Sequence, residues 1–184
     1  MKTALVLVDI QNDYFPGGKN PLEGSLEAGE RAGELLRFCR EHELPLVHIR
    51  HVSTRQGATF FLPGTEGVET HASVQPLAGE AVFEKHTPNS FRETPLLEHL
   101  HGLQVERLVI AGMMTHMCVD ATVRAAFDHG FECWIAQDAC ATKALVHDGQ
   151  TIPAQHVHLA FLAALKSAYG KVMSVEEICA QLAG

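Results

Sequence analysis

The sequence predicts a single α/β domain of the doubly wound type, in which helices cover a largely parallel sheet. Apolar runs of strand length alternate with longer segments of helical period, which is the pattern of such folds. The chain has 184 residues, of which 46% are hydrophobic, enough for one substantial core. It contains no internal repeat, low-complexity tract or linker. We therefore expect one domain over residues 1–184.

Six short apolar segments are the candidate strands. The segments that begin at Thr3 and Arg107 are the clearest of them. In chain order, the predicted strands are residues 3–9, 46–51, 81–83, 107–112, 132–135 and 171–173.

Five segments of helical period separate or follow these strands. The most convincing carries Val119, Val123, Ala126 and Phe127 on one face and is followed by Gly130, which favours helix termination. Prolines open two of the others, and Ser174 is suited to cap the last. The predicted helices are residues 22–42, 95–103, 117–129, 153–169 and 175–182.

The stretch from residue 52 to residue 80 has weak periodicity and is unusually long for a connection without regular structure. It contains several glycines, two prolines and the pair Phe60-Phe61. Connections of this length in compact domains are often lids, binding loops or subunit contacts. We assign it to the rim of a site, with a solvated surface loop as the alternative.

Composition restricts the class of partner. The formal net charge is -8 and no Lys/Arg-rich run occurs, which argues against nucleic acid. No apolar segment approaches the length that spans a membrane, no basic amphipathic stretch suits a membrane surface, and no signal peptide is recognisable. The five cysteines are scattered without a C-x-x-C, which indicates free thiols in a reducing cytoplasm. We expect a cytoplasmic protein with a small-molecule substrate.

Cys118 is the best candidate for a reactive group. It falls where the apolar strand ending near Gly112 breaks and a helix begins, and helix N-termini favour the thiolate and lower a cysteine pKa. Asp9 and Lys85 also lie at or just beyond strand ends. The carboxyl ends of parallel strands face one crevice, so these three side chains are expected to converge. Each alone has an ordinary structural explanation as a core, turn or surface residue.

Three ordered motifs resemble those of the isochorismatase-like cysteine hydrolases, a family that includes nicotinamidases and N-carbamoyl amide hydrolases. The resemblance covers essentially the whole chain. The motifs are Val8-Asp9-Ile10-Gln11-Asn12-Asp13-Tyr14-Phe15, then Phe83-Glu84-Lys85 followed by Asn89-Ser90-Phe91, and Gly112-x-x-Thr115-x-x-Cys118-Val119.

The resemblance implies a Rossmann-like, three-layer fold with a six-stranded parallel sheet flanked by helices. It also implies that Asp9, Lys85 and Cys118 form a catalytic triad, and that the backbone N–H groups of Met114 and Cys118 form an oxyanion hole. A cis peptide between Met113 and Met114 is expected with it. Related proteins form dimers and larger assemblies, so a homo-oligomer is expected as well.

Neither a metal nor another cofactor is expected. The twelve histidines lack a convergent spacing, and His48 and His51 fall on opposite faces of their strand. The region His48-Ile49-Arg50-His51 lacks the Asp-x-His metal motif of the nicotinamidases, which argues against that activity. Phe15-Pro16-Gly17-Gly18 lacks the spacing of a glycine-rich phosphate loop.

Several residues are candidates for substrate contact, each with a structural alternative. Phe15, Phe60 and Phe61 are expected to wall an apolar pocket or belong to the core. Arg50 and His51 end a strand and either contact substrate or are merely paired. Thr115 and His116 border Cys118, and Thr115 is favoured as a cap or turn residue.

The leading functional hypothesis is a cysteine hydrolase that cleaves a C–N bond of a small amide, carbamoyl or ureide-like substrate. Cys118 would form a thioester, with Asp9 as general base and later acid. The alternatives are an isochorismatase that cleaves a vinyl ether, and a catalytically idle interaction module.

Overall fold

A six-stranded parallel sheet forms the centre of the molecule, as seen in a computed structural model that describes all 184 residues. Strand β1 (Thr3–Val8) is buried along its whole length, which explains its unbroken apolar sequence. The other strands of this sheet are β2 (Leu46–His51), β3 (Ala81–Lys85), β4 (Arg107–Met113), β5 (Glu132–Ala141) and β8 (Lys171–Met173). A separate hairpin joins β6 (Leu145–His147) to β7 (Gln150–Ile152).

Helices cover both faces of the sheet, which gives the three-layer α/β fold expected from the sequence. Helices α1 (Ser25–Glu41) and α5 (Val175–Ala183) pack on the face that includes Leu5 and Leu7. Helices α2 (Leu96–Gly102), α3 (Asp120–Asp128) and α4 (Ala154–Ala168) pack on the face that includes Val6 and Val8. None of the five combines the length and the apolar character that a membrane-spanning helix requires.

In the strand order β3-β2-β1-β4-β5-β8, the chain first adds strands on one side of β1 and then on the other. The topological switch point therefore lies between β1 and β4. All five strand pairs are parallel, so their carboxyl ends lie along one edge. Ligands of open α/β sheets bind at such a switch point. Asp9 and Cys118 follow the two strands on either side of it.

Two predicted elements differ in the structure. The helix expected over 117–129 is instead a π-helical turn (Thr115–Val119) that leads into α3, so Cys118 lies in the wider turn and not at the start of the α-helix. Strand β5 runs six residues beyond its predicted end at Ile135, with a register shift opposite β4.

The β6–β7 hairpin was not expected, although Asp148-Gly149 is a strong hairpin signal. Both residues have positive φ, 48° and 75°, as a two-residue hairpin turn requires. The strands are only three residues long and largely exposed, so the alternation of apolar and polar residues that marks a strand is missing.

The stretch after β2 contains only two short 3₁₀ turns before β3, Glu66–Val68 and Ala72–Val74. It is tied to the rest of the molecule through Asp13, which follows β1. One carboxylate oxygen of Asp13 accepts the N–H of Phe61 at 2.6 Å, and the other accepts the N–H of Lys19 at 3.0 Å. The long connection is therefore anchored beside the carboxyl edge of the sheet.

Candidate active site

A buried ion pair between Lys85 and Asp9 is the centre of the site. Lys85 is the last residue of β3, and Asp9 follows β1 with a φ of 51°, a region that aspartate tolerates better than most residues. The Lys85 Nζ donates to Asp9 Oδ2 at 2.6 Å, and both side chains are fully buried. Strand β2 lies between these two strands, so the lysine reaches across it.

The Lys85 ammonium has three acceptors for its three hydrogens. Besides Asp9, these are the Nδ1 of His51 and the carbonyl of Thr87, each at 3.1 Å. Burial lowers the pKa of Lys85, but the Asp9 carboxylate and Cys118 together outweigh it and hold the pKa above its ordinary value. The lysine therefore stays charged and fixes its neighbours in place.

One oxygen of Asp9 is free. Oδ2 is held by Lys85, whereas Oδ1 is buried and has no hydrogen-bond partner. A carboxylate oxygen, the His51 ring and the Cys118 Sγ lie within 4.8 Å of one another. An unpaired buried acceptor of this kind is rare, and here it adjoins a thiol.

Cys118 is 4% exposed, and its pKa is raised. Burial is the main cause and the Asp9 carboxylate adds to it, while Lys85 opposes both. The sequence-based expectation of a lowered pKa is therefore wrong in direction, because burial and the Asp9 carboxylate outweigh the positive charge of Lys85. A raised pKa favours the protonated thiol, and a thiol needs a neighbouring base to become a nucleophile.

The turn that carries Cys118 is fixed by its own backbone. The carbonyl of Met114 accepts the N–H of Met117 at 3.0 Å and that of Val119 at 3.2 Å. The peptide bond between Met113 and Met114 is cis. Just before it, Gly112 has a φ of 138°, and a Cβ there would lie 2.0 Å from the carbonyl oxygen of Val8. Only glycine permits β4 to approach β1 this closely.

A cavity of about 440 Å³ opens onto Cys118. Of the residues expected to contact substrate, His51, Phe60 and Phe61 line it, and Tyr14 forms a further aromatic wall. The Tyr14 and Phe61 rings pack edge to face with centroids 4.6 Å apart. The long connection therefore contributes to the rim of this cavity through residues 53–61.

Two other candidates for substrate contact are placed elsewhere by strand and core packing. Arg50 lies on the face of β2 opposite to His51 and pairs with Glu69 at 2.9 Å and with Glu84. Phe15 is 2% exposed and stacks on His71 with centroids 3.5 Å apart. Neither residue lines the cavity at Cys118.

Thr115 and His116 also point away from the cavity. The Thr115 Oγ1 is hydrogen-bonded to the Nδ1 of His158 at 2.9 Å, and it caps no helix. The His116 ring is hydrogen-bonded to the hydroxyl of Thr142. Both are structural contacts between the π-helical turn and neighbouring elements.

Tyr14, Arg55 and His86 line the cavity but were not singled out in the sequence. Tyr14 lies inside the first motif and could have been found from it. Arg55 lies in the unpatterned connection, and His86 follows β3 without a motif of its own, so no sequence signal marks them.

Asp9, His51 and Cys118 are also the one group of side chains with metal-ligand spacing. Two of them, however, already accept hydrogen bonds from the Lys85 ammonium. A divalent cation would have to compete with this buried charge for both ligands. These residues therefore fit an ammonium group better than a metal ion.

Comparisons with known proteins agree with the fold. The isochorismatase domain profile matches residues 3–177. The isochorismatase family protein YddQ of Bacillus subtilis is 48% identical over 96% of this chain and 98% of its own. A solved hydrolase from Oleispira antarctica, assigned to the isochorismatases, is 50% identical with a TM-score of 0.94, covering 97% of this chain and 96% of its own.

A relative whose name states an activity is the maleamate amidohydrolase of Pseudomonas putida. It is 29% identical over 98% of this chain and 87% of its own. The domain match and the more similar relatives extend over nearly the entire sequence. The chain therefore belongs to the isochorismatase family of hydrolases.

Proposed function

We propose that the protein hydrolyses a C–N bond of a small amide, carbamoyl or ureide-like substrate through a thioester on Cys118. The observation that carries this proposal is the arrangement of Asp9. One of its oxygens is fixed by Lys85, and the other is buried without a partner in the cluster that contains the thiol. A neutral thiol beside a free carboxylate oxygen forms a nucleophile and base pair.

The first half of the reaction forms the thioester. As the Cys118 sulfur attacks the carbonyl carbon, its proton passes to Asp9 Oδ1 and the carbonyl oxygen becomes an oxyanion. The backbone N–H groups of Met114 and Cys118 stabilise this oxyanion. The C–N bond then breaks, and the protonated Asp9 gives its proton to the departing nitrogen.

The second half releases the acid. Asp9, again a carboxylate, takes a proton from a water molecule that attacks the thioester carbon. The C–S bond breaks, the thiolate leaves, and the proton held by Asp9 returns to the sulfur. Lys85 holds the carboxylate in position throughout, because its three hydrogens are already engaged. It acts as a positioning and electrostatic group.

The test is an ammonia-release screen over small amides and carbamoyl compounds, with isochorismate included. On the best substrate, Cys118→Ala should lower kcat by at least about 10³-fold, as loss of a nucleophile does. Cys179→Ala is the matched control, since Cys179 lies on α5, outside the cavity, and should leave kcat unchanged.

Mass spectrometry of acid-quenched turnover gives an independent check. The acyl group should be found on the peptide that contains Cys118. Undiminished turnover by Cys118→Ala would exclude covalent catalysis by this thiol.

A further inference from the structure

Arg55 gives the cavity an unusual charge for this protein. The chain carries a formal net charge of -8, yet none of the 15 residues that line the cavity is aspartate or glutamate. Arg55 is the one arginine or lysine among them. A ligand that enters the cavity therefore meets a cationic side chain and no exposed carboxylate.

The guanidinium of Arg55 has no acidic partner, which is also unusual here. Six of the eight arginines lie within 4 Å of a carboxylate, and Arg37 and Arg55 are the exceptions. A guanidinium presents a planar fork of donors that matches a carboxylate. That of Arg55 is free to bind such a group from a ligand.

The segment that carries Arg55 is held at both ends. The N–H of Ser53 donates to the carbonyl of Phe61 at 2.9 Å, which closes residues 53–61 into a loop. The N–H of Phe61 in turn donates to the buried carboxylate of Asp13 at 2.6 Å. The loop thus keeps Arg55 at the cavity that contains Cys118.

His51 adds a second donor to the cavity. Its Nδ1 accepts a hydrogen bond from the Lys85 ammonium, so the neutral ring carries its hydrogen on Nε2. Burial is the main reason that the pKa of His51 is lowered, which keeps the ring neutral. The cavity therefore combines N–H donors with aromatic walls formed by Tyr14, Phe60 and Phe61.

We propose that the substrate is an amide that also carries a carboxylate, with the amide carbonyl at Cys118 and the carboxylate at Arg55. This inference rests on the proposed amide hydrolysis and specifies its substrate class. The aromatic walls hold the carbon skeleton between the two polar ends.

The experiment compares succinamate and its longer homologues with the corresponding neutral diamides, which present the same amide on the same skeleton. Wild-type protein should prefer the acid over the diamide by at least about 10-fold in kcat/KM, as a charge-assisted contact provides. Arg55→Gln should remove this preference mainly by raising KM for the acid. Arg55→Lys should retain part of it.

Arg37→Gln is the matched control, because Arg37 also lacks an acidic partner but lies on α1, outside the cavity. It should leave the acid preference unchanged. Calorimetry on the Cys118→Ala protein measures the same preference as binding, without any turnover.

The two proposals fail in different ways. If Cys118→Ala binds no acid of the series more tightly than its diamide, the substrate class is wrong even where Cys118-dependent hydrolysis is observed. If Arg55→Gln weakens acid and diamide equally, Arg55 does not bind the anion. If Cys118→Ala retains turnover, the thioester mechanism fails while a binding preference for acids still stands.

Discussion

Lys85 determines the arrangement of the site at the scale of single residues. Its ammonium is fully buried and bonded to a carboxylate, an imidazole and a carbonyl. Breaking a buried ion pair by removing one partner leaves an uncompensated charge. Stability and catalysis are therefore expected to depend on the same side chain.

Lys85→Met should abolish turnover and lower the free energy of unfolding by about 3–5 kcal/mol, because Asp9 remains buried without its counter-charge. Denaturant unfolding at pH 7 measures this change. The double variant Asp9→Asn, Lys85→Met removes both charges and should recover much of the lost stability while staying inactive. A loss below about 1 kcal/mol in Lys85→Met would mean that the pair behaves as a solvated surface ion pair.

Strand ends were sufficient to predict that Asp9, Lys85 and Cys118 lie together, because parallel strands have a common carboxyl edge. The sequence could not decide which of two adjacent residues faces the cavity. Arg50 and His51 both end β2, but the pleat sends them to opposite faces. The direction of the Cys118 pKa shift also could not be predicted from the sequence, since it depends on burial by residues that are distant along the chain.

Asp13 controls the long connection at the scale of elements. Asp13 is 3% exposed, and its carboxylate accepts a hydrogen bond from the backbone N–H of Phe61. Gly67 packs directly on it, and a Cβ at that position would lie 2.1 Å from Asp13 Oδ1. Any side chain at Gly67 must therefore displace the carboxylate that anchors the aromatic wall.

Gly67→Ala should raise KM several-fold and increase proteolysis within residues 53–61, because the clash moves Asp13 away from Phe61. Limited proteolysis and steady-state kinetics measure the two effects. Gly102→Ala is the control, since a Cβ there meets no atom within 4 Å. If both variants behaved like the wild type, Asp13 would not hold the loop in place.

Elements defined by hydrophobic period were predicted well, and elements defined by local geometry were not. The bounds of β2 and β8 are as expected from the sequence, and the others differ mostly at their ends. The π-helical turn and the long β5 depend on an extra residue per turn and a register shift, neither of which alters the apolar pattern. Of these irregular segments, the π-helical turn bears on the site, because it carries Thr115, His116 and Cys118.

At the scale of the whole molecule, the homo-oligomer implied by the family resemblance stays a prediction. The buried thiols on the two faces of the sheet have a testable consequence for stability. Burial raises the pKa of Cys39, Cys133 and Cys140 from 9.0 to about 12 in each case. In the unfolded chain these thiols are solvated and ionise near their ordinary pKa.

The free energy of unfolding should therefore fall as the pH rises above about 9. In that range the unfolded chain releases thiol protons that the folded protein retains. The stabilisation that comes from the raised pKa in the folded state is therefore complete below pH 9 and declines progressively up to about pH 12. Each buried thiol contributes a slope of at most about 1.4 kcal/mol per pH unit. Urea unfolding between pH 7 and 10.5 under reducing conditions measures the total.

Cys39→Ala should flatten the slope by one such contribution, because the cavity left by the substitution costs the same at every pH. Parallel curves for Cys39→Ala and the wild type would show that the Cys39 thiol ionises alike in both states.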